Sequence, residues 1–372
     1  MLVYYLLLLW FCISALIFSP FESHLRRGLE FSMCLIPALL IMMMRGVSVG
    51  TDTAQYVGAV DTLKAMDYQQ YVNQGLYSYY ENGFTYLLRF CTLFPDPGRI
   101  LILISSVIIV VLPFYAIYRL CIHPALMYVI YFLTTQYYMG LSAMRQCIAI
   151  AFVYIAILVY YTRRRMVLSL LFVLLASCFH LTILIVVPIL VIPAIRIGKK
   201  ILYWLAALVA VILAFGNRFV SLFSVISKYS GYLSSGTDFL TAGKLMPLLQ
   251  ILYFATMLIY FLYFQKLKMK FTLFDKVSQD SIVLSKAVYA CIFGVCIGCA
   301  ALYINVFYRF MYNVMPFIMF GISWSFTYQK RKETSQMMYI LMILVTIVFF
   351  AAFLFVPESW FGIVDYTTYS NI

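Results

Sequence analysis

The sequence predicts an all-α polytopic membrane protein of about twelve transmembrane helices arranged around an outward-facing polar cavity. Three observations carry that prediction. First, 65% of the 372 residues are apolar, only 10% are charged and mean hydropathy is +0.98, whereas soluble globular chains carry about 25% charged residues. Second, apolar runs alternate with short basic clusters at Arg26-Arg27, Arg119, Arg163-Arg164-Arg165, Arg196 to Lys200, Lys266 to Lys276 and Lys330-Arg331-Lys332. Basic residues that flank spans follow the positive-inside rule, so the net charge of +13 reports membrane topology and not a nucleic-acid partner. Third, the polar residues that topology leaves unexplained fall on the opposite, outer side.

Taken along the chain, spans are expected near 1–18, 29–45, 99–118, 124–140 and 144–161, with two short ones near 166–178 and 181–195. Five more follow near 200–215, 246–264, 284–303, 306–326 and 338–356, placing both termini outside. The amino terminus lacks a basic leader and a small-residue cleavage site, so the first span is expected to be retained. Residues 1–372 read as one integral domain, in which 46–98 is an outer loop with short helices and 216–245 a second outer loop. Within the first, 82–94 is short for a crossing and suits a re-entrant or interfacial helix. The tail from Pro357 is a third outer segment. No internal repeat stands out.

The nine cysteines are scattered through apolar runs and suggest no disulfide framework. Cys296 and Cys299 have CxxC spacing, but Gly294-Val-Cys-Ile-Gly298 is also a GxxxG pattern, and close helix packing explains it more economically than metal or redox chemistry.

The first outer loop, Arg45-Gly46-Val47-Ser48-Val49-Gly50-Thr51-Asp52-Thr53-Ala54-Gln55-Tyr56, concentrates charge and glycine beside a span. An ionisable group costs roughly 2.5–3.5 kcal/mol at a bilayer centre and less at the interface, so recurrent charges there are candidates for function. Asp52, Gln55 and Tyr56 would share one helical face, although Asp52 or Thr51 could equally cap that helix. From Tyr68 to Asn82 aromatic, amide and hydroxyl groups are dense. This mixture suits sugars, and an interfacial aromatic belt is the competing explanation for the tyrosines alone.

Glu81, Thr85 and Arg89 recur at helical spacing. Arg145 and Gln146 open a span at its outer end, where cytoplasmic anchoring cannot explain a guanidinium; Arg suits a diphosphate through its fixed charge and planar fork of donors. His180 stands at an outer turn, either as a satisfied structural group or as a proton shuttle. Asn305, Tyr308, Arg309, Tyr312 and Asn313 form a polar stripe in an apolar segment, to be buried in an interhelical network or a wet cavity, with Pro316 below it bending the helix. No Walker loop, HExxH or GxSxG motif is present, and no acidic metal-ligand cluster is evident, so neither a cofactor nor a metal is expected.

With these residues in place, the chain resembles the EpsG-like family of bacterial exopolysaccharide polymerases, a branch of the Wzy-type repeat-unit polymerases. The resemblance rests on Arg45 with Val49-Gly50-Thr51-Asp52-Thr53 and Tyr56, then Glu81-Asn-Gly83-Phe84, Arg145-Gln146, Cys178-Phe-His180-Leu-Thr182 and Tyr308-Arg309, in that order. Thr182 stands where a serine-like position is expected and keeps the hydroxyl. The resemblance implies a fold like that of GT-C glycosyltransferases and a glycosyltransferase in the bacterial cytoplasmic membrane, with its active site facing the periplasm or cell exterior. Its substrate would be an oligosaccharide on undecaprenyl diphosphate, and surrounding membrane lipid and a polysaccharide chain-length regulator would be its partners. On that reading Asp52, Glu81 and His180 are the catalytic candidates, and Arg45, Tyr56, Arg89, Arg145, Gln146, Tyr308, Arg309 and Tyr312 hold the substrate or its diphosphate. A flippase for lipid-linked oligosaccharide and a membrane O-acyltransferase are the alternatives.

Overall fold

The computed structural model describes residues 2–18, 24–66, 68–73, 80–121, 123–194, 199–224, 244–268, 279–326, 333–355 and 362–369. Much of the expected outer loop 216–245 and part of the aromatic stretch after Tyr68 lie outside the described residues. Helices account for 85% of the structure, with no strand among the described residues. Among the described residues six helices, including Pro97–Leu120, Met144–Arg163 and Ser281–Ala301, are long and apolar enough to cross a membrane. Shorter apolar helices accompany them, consistent with a multi-pass membrane protein. The outermost residues are apolar, as lipid requires: Met337, Ile340, Leu341, Leu344 and Val348 are exposed on one face of a helix that buries Tyr339, Met342, Phe349 and Phe353 on the other.

The chain forms two compact units. Unit 1, Met1–Leu184 with Trp360–Ile372, holds α1 (Leu2–Phe18), α2 (His24–Met44), α3 (Thr53–Ala65), α4 (Tyr68–Asn73), α5 (Asn82–Cys91), α6 (Pro97–Leu120), α7 (Pro124–Leu133), α8 (Gln136–Ser142), α9 (Met144–Arg163) and α10 (Met166–Ser177). Helix α9 packs against both α6 and α10, and α6 also supports α2, α3 and α5.

Helix α2 shows how completely an apolar setting makes a chain account for its backbone polar groups. Pro37 has no N–H for the Met33 carbonyl, and the Trp10 indole N–H fills that place at 2.8 Å. The last four carbonyls of a helix have no partner within it. Here the Tyr366 hydroxyl donates to Ile41 O at 2.8 Å, Arg45 Nη1 to Met42 O at 2.9 Å, Arg99 Nη1 to Met43 O at 2.6 Å and Tyr369 N to Met44 O at 2.9 Å. Two of those donors come from the tail, which also accepts from Gly46 N through Thr367 O at 2.7 Å and from Gly50 N through Gly362 O at 3.0 Å.

The expected span 124–140 is interrupted. Helix α7 ends at Leu133 and α8 starts at Gln136, with Thr135 in the left-handed region at φ 61°. Side chains compete with the helical ladder there: the Thr134 hydroxyl donates to Ile130 O at 2.8 Å, and Gln136 links Thr134 Oγ1 to the Tyr154 hydroxyl at 3.0 and 2.7 Å.

Unit 2, Ile185–Ser359, contains α11 (Val186–Val191), α12 (Lys199–Ser224), α13 (Leu245–Lys268), α14 (Gln279–Ala301), α15 (Met315–Phe326) and α16 (Glu333–Leu354). Helix α14 packs against α11, α12, α13 and α15. A Cβ on Gly294 would run into the Phe254 ring and one on Gly298 would meet Ile251 at 2.5 Å, so the GxxxG pattern lies where α13 and α14 approach closely. Lys286, buried in α14, donates to Leu190 O and Ile192 O at 2.8 and 2.5 Å, and Tyr289 to Pro193 O at 2.7 Å. Together they satisfy the end of the short α11. The expected span 181–195 is thus a 3₁₀ turn, Leu181–Ile185, followed by that six-residue helix.

The expected span 306–326 also differs from a single helix. Asn305–Asn313 is a 3₁₀ helix and α15 begins at Met315. Pro316 falls in the first turn of α15, where its missing N–H is harmless, and that same missing donor prevents an α-helix from running through from Tyr312.

Candidate functional site

The site grows from the start of α9. Arg145 is the second residue of that helix, where the dipole disfavours a cation, so burial there demands a compensating charge. Glu81 supplies it. Arg145 Nη1 lies 2.9 Å from Glu81 Oε2, with side-chain exposures of 14% and 10%. Glu81 is the residue before α5 and adopts extended backbone, but its carboxylate makes no cap to its own helix. It turns instead to α9 and to the turn after α10, where His180 Nδ1 stands 3.6 Å from Oε1 and Leu181 N donates to the same oxygen at 3.4 Å.

Burial alone would raise the Glu81 pKa. His180 and Arg145 more than reverse that and hold it down to about 2. The carboxylate is therefore ionised at neutral pH and engaged on both oxygens.

Three aromatic rings enclose the guanidinium. Its carbon lies 4.8 Å from the Tyr80 ring centroid, 5.6 Å from Tyr56 and 5.9 Å from Phe84, within the range of cation–π attraction. The rings brace one another edge to face, Tyr56 to Phe84 at 5.2 Å and Tyr80 to Phe84 at 5.4 Å. Tyr56 adds its hydroxyl 3.4 Å from Arg145 Nε.

Two backbone junctions hold these parts in register. Gly83 N donates to Cys178 O at 2.8 Å, and a Cβ on Gly83 would come within 2.7 Å of that oxygen, so only glycine lets α5 approach the His180 turn. On the other side, Gly50 takes φ +96° with its Cα against Leu141 O, the Thr51 and Ser142 hydroxyls bond at 2.7 Å, and Thr53 donates to Leu141 O at 3.1 Å. The loop thereby leans on the backbone three residues before Arg145 and delivers α3, which carries Tyr56.

Of the residues singled out in the sequence, Tyr56, Glu81, Arg145 and His180 are brought together. Asp52 is half-buried at the start of α3, one turn before Tyr56, and bonds the Thr51 hydroxyl at 3.1 Å. Gln146 is buried beside Arg145, whereas Gln55 and Arg89 are exposed. Thr85, expected to share a face with Arg89, is buried. Arg45 is fully buried as a donor to the end of α2. Tyr308, Arg309 and Tyr312 belong to unit 2, and on a 3₁₀ helix their α-helical spacing no longer makes one stripe, because residues three apart eclipse. The sequence reading placed Tyr80 only within the stretch suited to sugars, not beside Arg145, and gave no role to the Leu181 N–H. The flanking of Glu81 by Tyr80 and Phe84 was the signal for the ring cage; the backbone donor leaves none. Among the described residues no three His, Cys, Asp or Glu side chains gather as a metal site.

A family model described as the EpsG family matches residues 30–368, nearly the whole chain. Comparison with curated proteins and with solved structures found no match.

Proposed function

The chain belongs to the EpsG family, a polysaccharide polymerase-like family, and from that premise we propose that it is a glycosyltransferase joining lipid-diphosphate-linked oligosaccharide repeat units, with undecaprenyl diphosphate as carrier. The observation that carries this reading is the caged Arg145 with Glu81 and His180 at the start of α9. The other end of α9 carries Arg163, beside Arg164 and Arg165. A helix of about 20 residues spans the hydrocarbon core, so a cytoplasmic basic end leaves the site at the outer face of the cytoplasmic membrane. This disposition is the one a GT-C-like polymerase requires.

In the proposed step a hydroxyl oxygen of one carrier-linked unit attacks the anomeric carbon of another. The bond from that carbon to the lipid diphosphate breaks, and its electron pair leaves with the diphosphate. Arg145 offers the departing diphosphate a fixed positive fork. Glu81, ion-paired with Arg145, is a weak base, so the proton passes to the neutral imidazole of His180 through its Nε2, away from Glu81. The carboxylate then stabilises the imidazolium, as in other base–orienter pairs. Asp52 lies one turn before Tyr56 at the same loop and is the second carboxylate available to the acceptor hydroxyl. A flippase gives this carboxylate–arginine–histidine arrangement no evident task, and an O-acyltransferase could use His180 as a base but gives Arg145 none.

The test is chain growth by the purified protein in lipid, supplied with its native lipid-linked unit and no nucleotide sugar. A ladder from wild type that folded Arg145→Ala and His180→Ala variants fail to make supports the reading. Movement of the unit across the bilayer with no ladder overturns it in favour of a flippase.

A further inference from the structure

Arg45 is fully buried, and only part of its guanidinium is used. Nη1 donates to Met42 O at 2.9 Å and reaches Ser106 Oγ at 3.2 Å. Nε and Nη2, whose N–H bonds point the same way along the other edge, meet no acceptor. Both ion pairs seen among the described residues belong to Glu81, and neither involves Arg45. The polar neighbours it feels are the hydroxyl groups of Tyr4 on α1, Tyr137 on α8 and Tyr366 in the tail and the thiol of Cys147 on α9. Tyr137 and Tyr366 already donate to Ala38 O and Ile41 O, each at 2.8 Å. The Tyr4 hydroxyl is buried and meets no acceptor, and its ring contacts that of Tyr366 at 5.9 Å.

An arginine stays charged in a protein, and a buried charge with open donors calls for an acceptor of opposite charge. We propose that the Nε/Nη2 fork of Arg45, with the Tyr4 hydroxyl beside it, binds one small monovalent inorganic anion of the chloride class. The chemistry narrows the ligand in three ways. One positive charge asks for one negative charge. Two parallel N–H bonds and one O–H suit a single spherical acceptor, whereas a phosphate brings more lone pairs than three donors meet. Arg45, Tyr4 and Tyr137 are each 0% exposed, which shuts out an anion carried on a lipid or sugar. Such an ion ties α1 to the end of α2 beneath the loop that begins at Gly46, and so secures the base of that loop independently of any substrate.

The experiment needs no substrate. The unfolding midpoint of the purified full chain is followed as gluconate is replaced by chloride at constant ionic strength, for wild type, Arg45→Lys and Tyr4→Phe, and crystals grown in bromide are examined for anomalous scattering. The expected result is a saturable rise for wild type, absent in Arg45→Lys, which keeps the charge and loses the fork. Tyr4→Phe should need about tenfold more chloride, the equivalent of one hydrogen bond to an ion. Bromide should lie within hydrogen-bond distance of Arg45 Nε and Nη2. No chloride dependence in wild type, or the same dependence in all three proteins, overturns the proposal. Should Arg45→Lys fail to fold, an unchanged chloride requirement in Tyr4→Phe overturns it equally.

Discussion

Arg45 and Arg145 flank the same loop: Arg45 opens it, and Arg145 lies three residues past the Leu141–Ser142 backbone on which it leans. Both are withdrawn from solvent, yet their surroundings differ in kind. Arg45 follows the carboxyl end of α2 and donates to its last turn, the end of a helix that favours a cation. It therefore sits without a carboxylate. Arg145 lies at the amino end of α9, which disfavours a cation, and it is accompanied by Glu81, His180 and three rings. The contrast separates structural from chemical use of one residue type. A guanidinium placed with the helix dipole can serve as a fastener, whereas one placed against it must be held by groups that a reaction can also employ.

The largest expected effect breaks this contrast at its reactive end. Arg145→Ala should lower polymer formation by about 10²–10³, the usual cost of losing one preorganised donor to a leaving group, with a smaller loss in Arg145→Lys, which keeps charge without the fork. A rate assay on folded protein at wild-type levels would remove the distinction between the two arginines. Next in size, Glu81→Gln should destabilise the protein by about 2–3 kcal/mol at neutral pH, near the low end for breaking a buried pair because some solvent reaches it. Its dependence on pH has a definite sign. The Glu81 pKa falls from 4.5 unfolded to about 2 folded, so the difference from wild type should be full above about pH 4.5 and fade as pH drops toward 2. Unfolding midpoints across that window measure it.

Smaller again, Gly83→Ala should cost about 1–2 kcal/mol, because its Cβ would press on the Cys178 backbone rather than on a yielding side chain. A loss of turnover larger than the shift in unfolding midpoint would show that the junction sets the His180 position as well as stability. The smallest effect sharpens the role of the rings: Tyr80→Leu should weaken the Arg145 setting by about 0.5–1 kcal/mol while Tyr80→Phe leaves it nearly unchanged.

Much of this was legible in the sequence, for reasons that residues make plain. Apolar runs bounded by Arg163-Arg164-Arg165 and its counterparts announced helices in a membrane. Asp52 and Tyr56 at helical spacing announced α3. Arg145 stood out because topology could not explain it, and Glu81 and His180 as titratable groups on the outer side, but their meeting joins positions far apart in the chain, and only tertiary packing makes it. Three features left no such trace. The break at Thr134-Thr135 depends on side chains that bond backbone in preference to the ladder. The 3₁₀ form of Asn305–Asn313 follows from the proline three residues later, which the α-helical reading of the polar stripe treated as a bend. The docking of the tail on α2 rests on backbone pairing and on the Tyr366 hydroxyl, neither of which leaves a motif in the sequence.

That docking governs the order in which the protein can be built. Tyr366 and Ile41 lie 325 residues apart in the chain, and between them the ribosome must produce all of unit 2, Ile185–Ser359. While the later helices are still being inserted, the carbonyls of Ile41 and Met44 lack the donors that will finally meet them, and the loop from Gly46 to Thr53 lacks the tail backbone that it bonds. Unit 1 thus starts to form before unit 2 and is completed after it, so the loop that shapes the site assumes its final form only when synthesis has passed Tyr369.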